Sequence, residues 1–311
     1  MTNDRRQREV ALLAAIAALL LLVGFLSPHF FAAANLRALL VNMCPPLLVA
    51  AGMTLVIIAR HIDVSVGAQF CICGIIAGLF SEAHLPLVVA AGGAILAGAI
   101  MGAINGLLVT RLGLPSIVVT LATLVIGRES LRWLRQGAFV RDLPPGFQWF
   151  GLSQSDGQWI VVVVSLLLFA LIAGSARHLA FGRAIFAAGS DPEAAHLVGL
   201  QPQRIVLSVF TLLGALTGCA AVLNAVRFAD VDPNAGAGLE MQVIAAAVAG
   251  GAAVSGGRGS LPGTLLAVLL LGLIGPALVF LGIQPHWEKA IQGLIILIAV
   301  AADSTRRRAA A

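Results

Sequence analysis

Long apolar runs alternate with short polar or turn-forming stretches along the whole chain, at residues 10–26, 38–59, 64–80, 86–110, 115–133, 159–175, 205–226, 240–255, 261–282 and 289–302. A bilayer core about 30 Å thick is crossed by roughly 20 apolar residues in a helix, where each backbone N–H and C=O finds its partner within the segment. The pattern therefore predicts an all-α polytopic membrane protein with about ten transmembrane helices. Some runs are short or broken: Pro45 and Pro46 interrupt the second, and Gly250, Gly251, Gly256, Gly257 and Gly259 close the eighth. Half-helices or re-entrant segments at such places bring the expected range down to about eight to ten crossings. The first run is longer than the about 7–15 residues of a secretory h-region, so it reads as a retained span.

Composition narrows the class. The 311 residues are 59% hydrophobic and only 11% charged, whereas soluble domains run near a quarter charged. No polar stretch approaches the roughly 100–150 residues of a separate soluble domain, so residues 1–311 read as a single transmembrane domain. Arg5, Arg6 and Arg8 precede the first run, and Arg306, Arg307 and Arg308 follow the last. Short loops rich in Lys and Arg stay on the cytoplasmic side, so both termini are expected inside, which requires an even number of crossings. Ten crossings also place Arg60, Arg111, the segment from Arg177 to Arg204 and Arg258 inside. The net charge of +5 thus reports orientation rather than nucleic-acid binding. The arginines from Arg128 to Arg141 fall outside and read as a docking surface. Arg141, Asp142, Asp230 and Asp232 stand in two outside loops, where rim charges steer an encounter with a partner.

Runs one to five and six to ten enter the membrane in opposite senses. Each half has an acidic residue at the lip of a short run, Asp63 and Glu240, and later a Leu-Pro pair, at Leu114–Pro115 and Leu261–Pro262. This is compatible with an inverted repeat, although the spacings differ.

The longest inside stretch, residues 176–204, contains GRAIFAAGSDPEAAHLVGLQPQR from Gly182 to Arg204. Ser190 or Asp191 can cap a helix there, Pro192 suits its first turn, and Glu193 follows Ser190 at capping-box spacing. Leu197 and Val198 give an apolar side and Gly199 a stop. A helix of about two turns does not hold alone in water, so either a partner packs on it or it is a capped connector between its neighbours.

The HIDVSVG stretch of His61–Gly67 offers Asp63 and Ser65 as caps for the third run, or as gating groups. Gly238 to Gly263, GLEMQVIAAAVAGGAAVSGGRGSLPG, supplies small residues that let helix backbones approach in lipid. Its glycine loop lacks the G-K-[ST] ending of a nucleotide cradle. Cys44, Cys71, Cys73 and Cys219 lie in apolar runs without metal-ligand spacing. No Ser/His/Asp, Cys/His or H-E-x-x-H arrangement is visible, so neither a catalytic residue nor a metal site is expected. Ionisable groups are almost absent from the middle of the runs, whose polar residues include Asn105, Ser116, Thr120 and Thr123. They suit the passage of an uncharged polyol, although Ser and Thr in lipid also bond neighbouring backbone.

Three of these stretches, in this order, resemble the permeases of ribose-type, binding-protein-dependent sugar ABC importers. They are HIDVSVG, with Val64 in a leucine place and His61 in a glycine place; Gly189 to Gly199; and the block from Gly238 to Gly263. The similarity runs from about residue 8 to 303. Asn105, the LPSIVVTLATL of Leu114–Leu124 and the GLEM of Gly238–Met241 look most like autoinducer-2 and rhamnose importer permeases. The resemblance implies that Arg183, Ser190, Asp191, Pro192, Glu193, Ala194, Ala195, Leu197 and Gly199 form a coupling segment that meets a cytosolic ABC ATPase. It implies a pathway or gating role for Asp63, Ser65, Asn105, Ser116, Thr120, Thr123 and Glu240, and receptor docking at Arg141, Asp142, Asp230 and Asp232. It further implies a second permease copy or paralogue, ATP and Mg held by separate ATPase subunits with no cofactor on this chain, and a periplasmic or lipid-anchored sugar-binding protein. Surrounded by lipid in a bacterial inner membrane, with both termini cytoplasmic, such a subunit catalyses no covalent step and binds no nucleic acid. The rival class is an ion-coupled secondary transporter of a small neutral solute, which requires an ionisable group near the bilayer midplane. Its candidates, Asp63, Glu129 and Glu240, all stand at the ends of runs.

Overall fold

A computed structural model of the chain describes residues 2–284, 286–295 and 297. Arg306, Arg307 and Arg308 lie outside the described residues, as do the side chain of Arg5 and most of the last run beyond residue 295. The described chain is all-α: α1 (Thr2–Leu26), α2 (Ala33–Ile58), α3 (Val66–Glu82), α4 (Leu87–Leu112), α5 (Ser116–Arg135), α6 (Gln154–His178), α7 (Ala180–Ser190), α8 (Pro192–Leu197), α9 (Pro202–Ala225), α10 (Leu239–Ala249) and α11 (Leu261–Phe280). Helix resumes at residues 287–295. The first nine predicted runs each fall wholly or mostly in one of these helices, the described part of the tenth lies in the helix that resumes at residue 287, and α7 and α8 occupy the stretch read as a loop. That stretch is therefore mostly helical: α6 stops at His178, the chain turns at extended Leu179, and α7 packs back so closely that a Cβ on its Gly182 would overlap the Ala176 carbonyl.

Among the described residues, six helices are long and apolar enough to cross a bilayer: α1 from Arg6, α2, α4, α6, α9 and α11. The others are cut short or polar. At 17 and 11 residues, α3 and α10 measure about 25 Å and 16 Å, less than the bilayer core, and α5 carries Arg128, Glu129, Arg132 and Arg135. Pro45 and Pro46 do not interrupt α2, which runs helical through both. From Met43 to Ile58 the helix is buried by α6, α9, α10 and α11, and enclosure by neighbours is what allows proline within a membrane helix.

The loops make contacts at two ends of the bundle. At the end carrying α8, Gly257 N–H donates to Ile58 O (2.8 Å), Arg60 Nε to Gly189 O (2.6 Å), and Ser260 Oγ to Glu9 Oε1 (2.9 Å). The loops that the arginine pattern assigned to one side thus touch one another. At the opposite end, Val140 and Val231 exchange backbone bonds of 3.1 and 3.0 Å, and Trp149 N–H donates to Val226 O (2.7 Å).

The tightest helix contact is α4 against α9. A Cβ on Gly98 or Gly102 would overlap the carbonyl oxygens of Gly214 or Phe210, one on Gly214 would overlap the Gly98 carbonyl, and one on Gly218 would sit 2.5 Å from Ala94 O. The spacing of four puts Gly98, Gly102 and Gly106 on one stripe, and with no hydrophobic drive between helices in lipid such close approach supplies the packing energy. Replacing Gly214 with leucine should cost more than about 3 kcal/mol, at the upper limit of overpacking. Gly92, on the same helix α4 with nothing within 4 Å of its would-be Cβ, should accept leucine with little loss. Thermal unfolding of the two variants in detergent checks this, and equal midpoints would refute it.

Candidate functional site

At the α8 end, Asp191 is the N-cap of α8: its Oδ1 accepts from the N–H groups of Glu193 and Ala194, both at 3.0 Å. The expected capping box of Ser190 with Glu193 is not formed, because Ser190 is the last residue of α7. Pro192 opens α8, Ala195 is its buried residue, and Gly199 ends the turn at φ 84°, with its N–H on His196 O. Arg183 reaches back to the His178 carbonyl (3.1 Å) and so closes the end of α6. Beside exposed Glu193 and His196, the end of α8 holds out two apolar side chains, Leu197 86% and Val198 76% exposed.

This segment is clamped to the helix core by Arg60, which the sequence reading did not single out. Besides Gly189 O, its guanidinium holds Ser190 O. Arg60 itself has φ 70°, a left-handed conformation rare for a non-glycine residue. Gly189 and Gly257 fit between the Ile58 carbonyl and each other: a Cβ on Gly189 would overlap Ile58 O and lie 2.9 Å from Gly257 N. The glycines of the 250–260 loop therefore serve this junction.

Three residues beyond Arg60 begins a wholly buried polar cluster. Asp63 Oδ1 accepts from Ser65 N–H (2.8 Å) and Ser65 Oγ (2.6 Å), and Oδ2 from Gln69 Nε2 (3.2 Å) and Asn105 Nδ2 (3.3 Å). Ser65 Oγ in turn accepts from Gln69 (2.7 Å) and Asn105 (2.8 Å). Asp63 thus does not cap α3 through the first amides of that helix, and Ser65, at the N-cap position, makes no side-chain cap bond. Both instead tie α3 to α4. Asn105 lies seven residues before the end of α4, about 10 Å into the bundle. Ser116 and Thr120 close the other side of the same segment: Ile62 N–H donates to Ser116 Oγ (3.2 Å), and Thr120 Oγ1 to Ser116 O (2.8 Å). Thr123, one turn on, bonds only Thr120 O (3.2 Å).

Glu240, 8% exposed, pairs with Arg128 of α5 at 3.1 Å. Gly67, at the start of α3, lies against both: a Cβ there would overlap Glu240 Oε2 and sit 3.0 Å from Arg128 Nη2. Arg128 is thus drawn inward, away from the outside cluster in which its sequence neighbours placed it. Of that cluster, Arg132 pairs with exposed Glu129 (3.2 Å). The predicted docking residues do come together, since the Val140–Val231 bridge sets Arg141 and Asp142 beside Asp230 and Asp232.

A family model described as branched-chain amino acid transport system / permease component matches residues 35–300. The ribose import permease protein RbsC of Escherichia coli strain K12 is 31% identical over 306 residues, covering 95% of this chain and 93% of its own length. The autoinducer 2 import system permease protein LsrC of Escherichia coli strain K12 / DH10B is 32% identical, covering 97% and 89%. The probable ABC transporter permease protein YphD of Escherichia coli strain K12 is 37% identical, covering 96% and 90%.

The two ion pairs should differ sharply in worth. Glu240→Ala leaves Arg128 half-buried without its partner, which should cost about 1–3 kcal/mol, below the full penalty of a buried pair because Arg128 keeps some solvent. Glu129→Ala breaks an exposed pair and should cost no more than about 1 kcal/mol. Unfolding midpoints in detergent decide it, and equal losses would contradict the placement of Glu240.

Proposed function

The chain belongs to the family of branched-chain amino acid transport system permease components, and on that premise we propose that it is the membrane-spanning subunit of an ATP-driven, binding-protein-dependent importer of a sugar or sugar-like polyol. Sugar rather than amino acid is favoured by two relatives, whose names give ribose and autoinducer 2 as their cargo. The observation that carries the reading is α8: a short capped helix, clamped to the core through Arg60, with two apolar side chains held out at an end lined by Arg60, Arg111 and Arg258. Exposed apolar residues on a rigid projection call for a partner surface, and a cytosolic ATPase subunit supplies one. ATP and Mg belong to that subunit, and this chain contributes no covalent chemistry.

In this reading the subunit works beside a second copy or a paralogue, in a bacterial inner membrane with the α8 end and both termini in the cytoplasm. A receptor delivers the solute to the opposite end, where Arg141, Asp142, Asp230 and Asp232 steer it. Ion coupling through Asp63 or Glu240 is disfavoured, since the first is committed to four hydrogen bonds and the second to Arg128.

Two measurements test this. Glu193→Lys should leave the subunit in the membrane while uptake per ATP hydrolysed falls severalfold in the reconstituted complex; unchanged coupling would count against α8 as the contact. In intact cells with a permeable outer membrane, and in a background lacking the native cysteines, Ser155→Cys should react with an impermeant maleimide and Val198→Cys should not. Labelling of the second from outside would invert the orientation.

A further inference from the structure

At the end opposite α8, a cavity of about 540 Å³ opens between α3, α9 and the 228–235 loop, within the size range of small-molecule sites. Its floor is shaped by what α3 leaves out. Gly74 has no side chain, and the nearest atom to a Cβ built there is Val231 Cγ1 at 3.7 Å. One turn below, the Cys71 thiol accepts the Gly236 N–H (3.3 Å), and one more turn down Gly67 meets Gly236 and Glu240. The recess therefore closes where α3 and α10 begin.

The lining chemistry is mixed in a particular way. Phe70 forms a buried wall, and Phe139 and Phe228 stand at the rim, 41% and 49% exposed, on loops rather than on lipid-facing helix surfaces. Asp232 is half-buried, with its Oδ1 taking the Asn234 N–H (2.8 Å), and Asp230 is exposed and engages no partner among the described residues. Carboxylates only accept hydrogen bonds, so a ligand must bring donors, and the aromatic faces favour one that also has an apolar C–H face. Sugars and polyols have both. A simple cation is the poorer match, because the Arg227 guanidinium stacks 5.3 Å from the Phe228 ring centre and sets a positive charge beside the mouth. The site is pre-formed, since the Val140–Val231 bonds and the turn at Asp232 fix its upper loop.

We propose that this cavity, walled by Phe70, Phe139 and Phe228 and edged by Asp230 and Asp232, binds a neutral polyhydroxylated solute: the importer's cargo on arrival from its receptor. The assignment rests on the permease reading. The test places a single cysteine at Ala235, an exposed lining residue, with the four native cysteines replaced, in the assembled importer in nanodiscs. Maleimide labelling is followed with D-ribose, L-rhamnose, D-xylose, D-galactose or choline at millimolar concentration, and ATP-driven uptake of the same compounds is measured in parallel in proteoliposomes. At least one of the four sugars should slow labelling severalfold, Asp230→Asn should weaken that protection, and choline should have no effect. Gly74→Leu, which fills the recess, should lower uptake by an order of magnitude with the complex still assembled. Protection by choline alone overturns the proposal in favour of a cation site. Uptake of a sugar with no protection by any of the four overturns the cavity and leaves the permease reading standing, whereas no ATP-driven uptake of any of them overturns both.

Discussion

The contact on which the architecture depends is backbone against backbone, where the glycine stripe of α4 meets Gly214 and Gly218 of α9. In lipid, helices gain little by hiding apolar surface from one another, so close approach must supply the attraction. That approach has consequences beyond its own energy. Asn105 sits beside Gly106 on the packed side of α4, which brings its amide to Asp63 and Ser65, and the His61 ring comes within 6.0 Å of the Phe210 ring. The segment between α2 and α3 is thereby sealed, and it can be irregular only because it is sealed.

A second constraint follows from the short helices. With α3 and α10 both shorter than the bilayer core, their first turns lie inside the protein, and they meet where Gly67 touches Gly236 and Glu240. Two helix N-termini in one interior place leave unpaired amide donors and positive dipole ends there. The acidic groups Asp63 and Glu240 sit near these ends, where the dipoles favour negative charge, while their oxygens are taken up by Ser65, Gln69 and Asn105 and by Arg128. Discontinuous helices that converge inside the molecule are the pattern in which many transporters build their pathways. The path of mechanical connection is also continuous here: α8, Ser190, Arg60, and three residues later Asp63.

What the sequence disclosed and what it withheld divide along physical lines. Apolar runs and helix stops are local, so the described part of every run lies wholly or mostly in a helix, and Pro192 and Gly199 marked the bounds of α8. The continuity of α2 through Pro45 and Pro46 was not legible, because it is maintained by surrounding helices rather than by α2's own residues. Asp191 rather than Ser190 caps α8, since the chain turns at Leu179 into α7, which runs on through Ser190. The Arg60 clamp spans 129 residues of sequence and leaves no periodic trace. The same holds for the inward turn of Arg128, whose sequence neighbours are exposed, and for the cavity, which exists only because two distant loops pair at Val140 and Val231.

If α8 is the face by which this subunit meets an ATP-hydrolysing partner, residue 197 must lie against that partner. The direct measurement is site-specific photo-crosslinking from a benzophenone side chain at position 197, in the complex purified from its own membrane, with mass-spectrometric identification of the adduct. The expected result is a crosslink to the ATP-binding subunit that disappears when Asp191 is replaced by alanine and the helix loses its cap. A crosslink to the solute receptor instead, or an adduct to the ATP-binding subunit from position 155 at the opposite end, would contradict it.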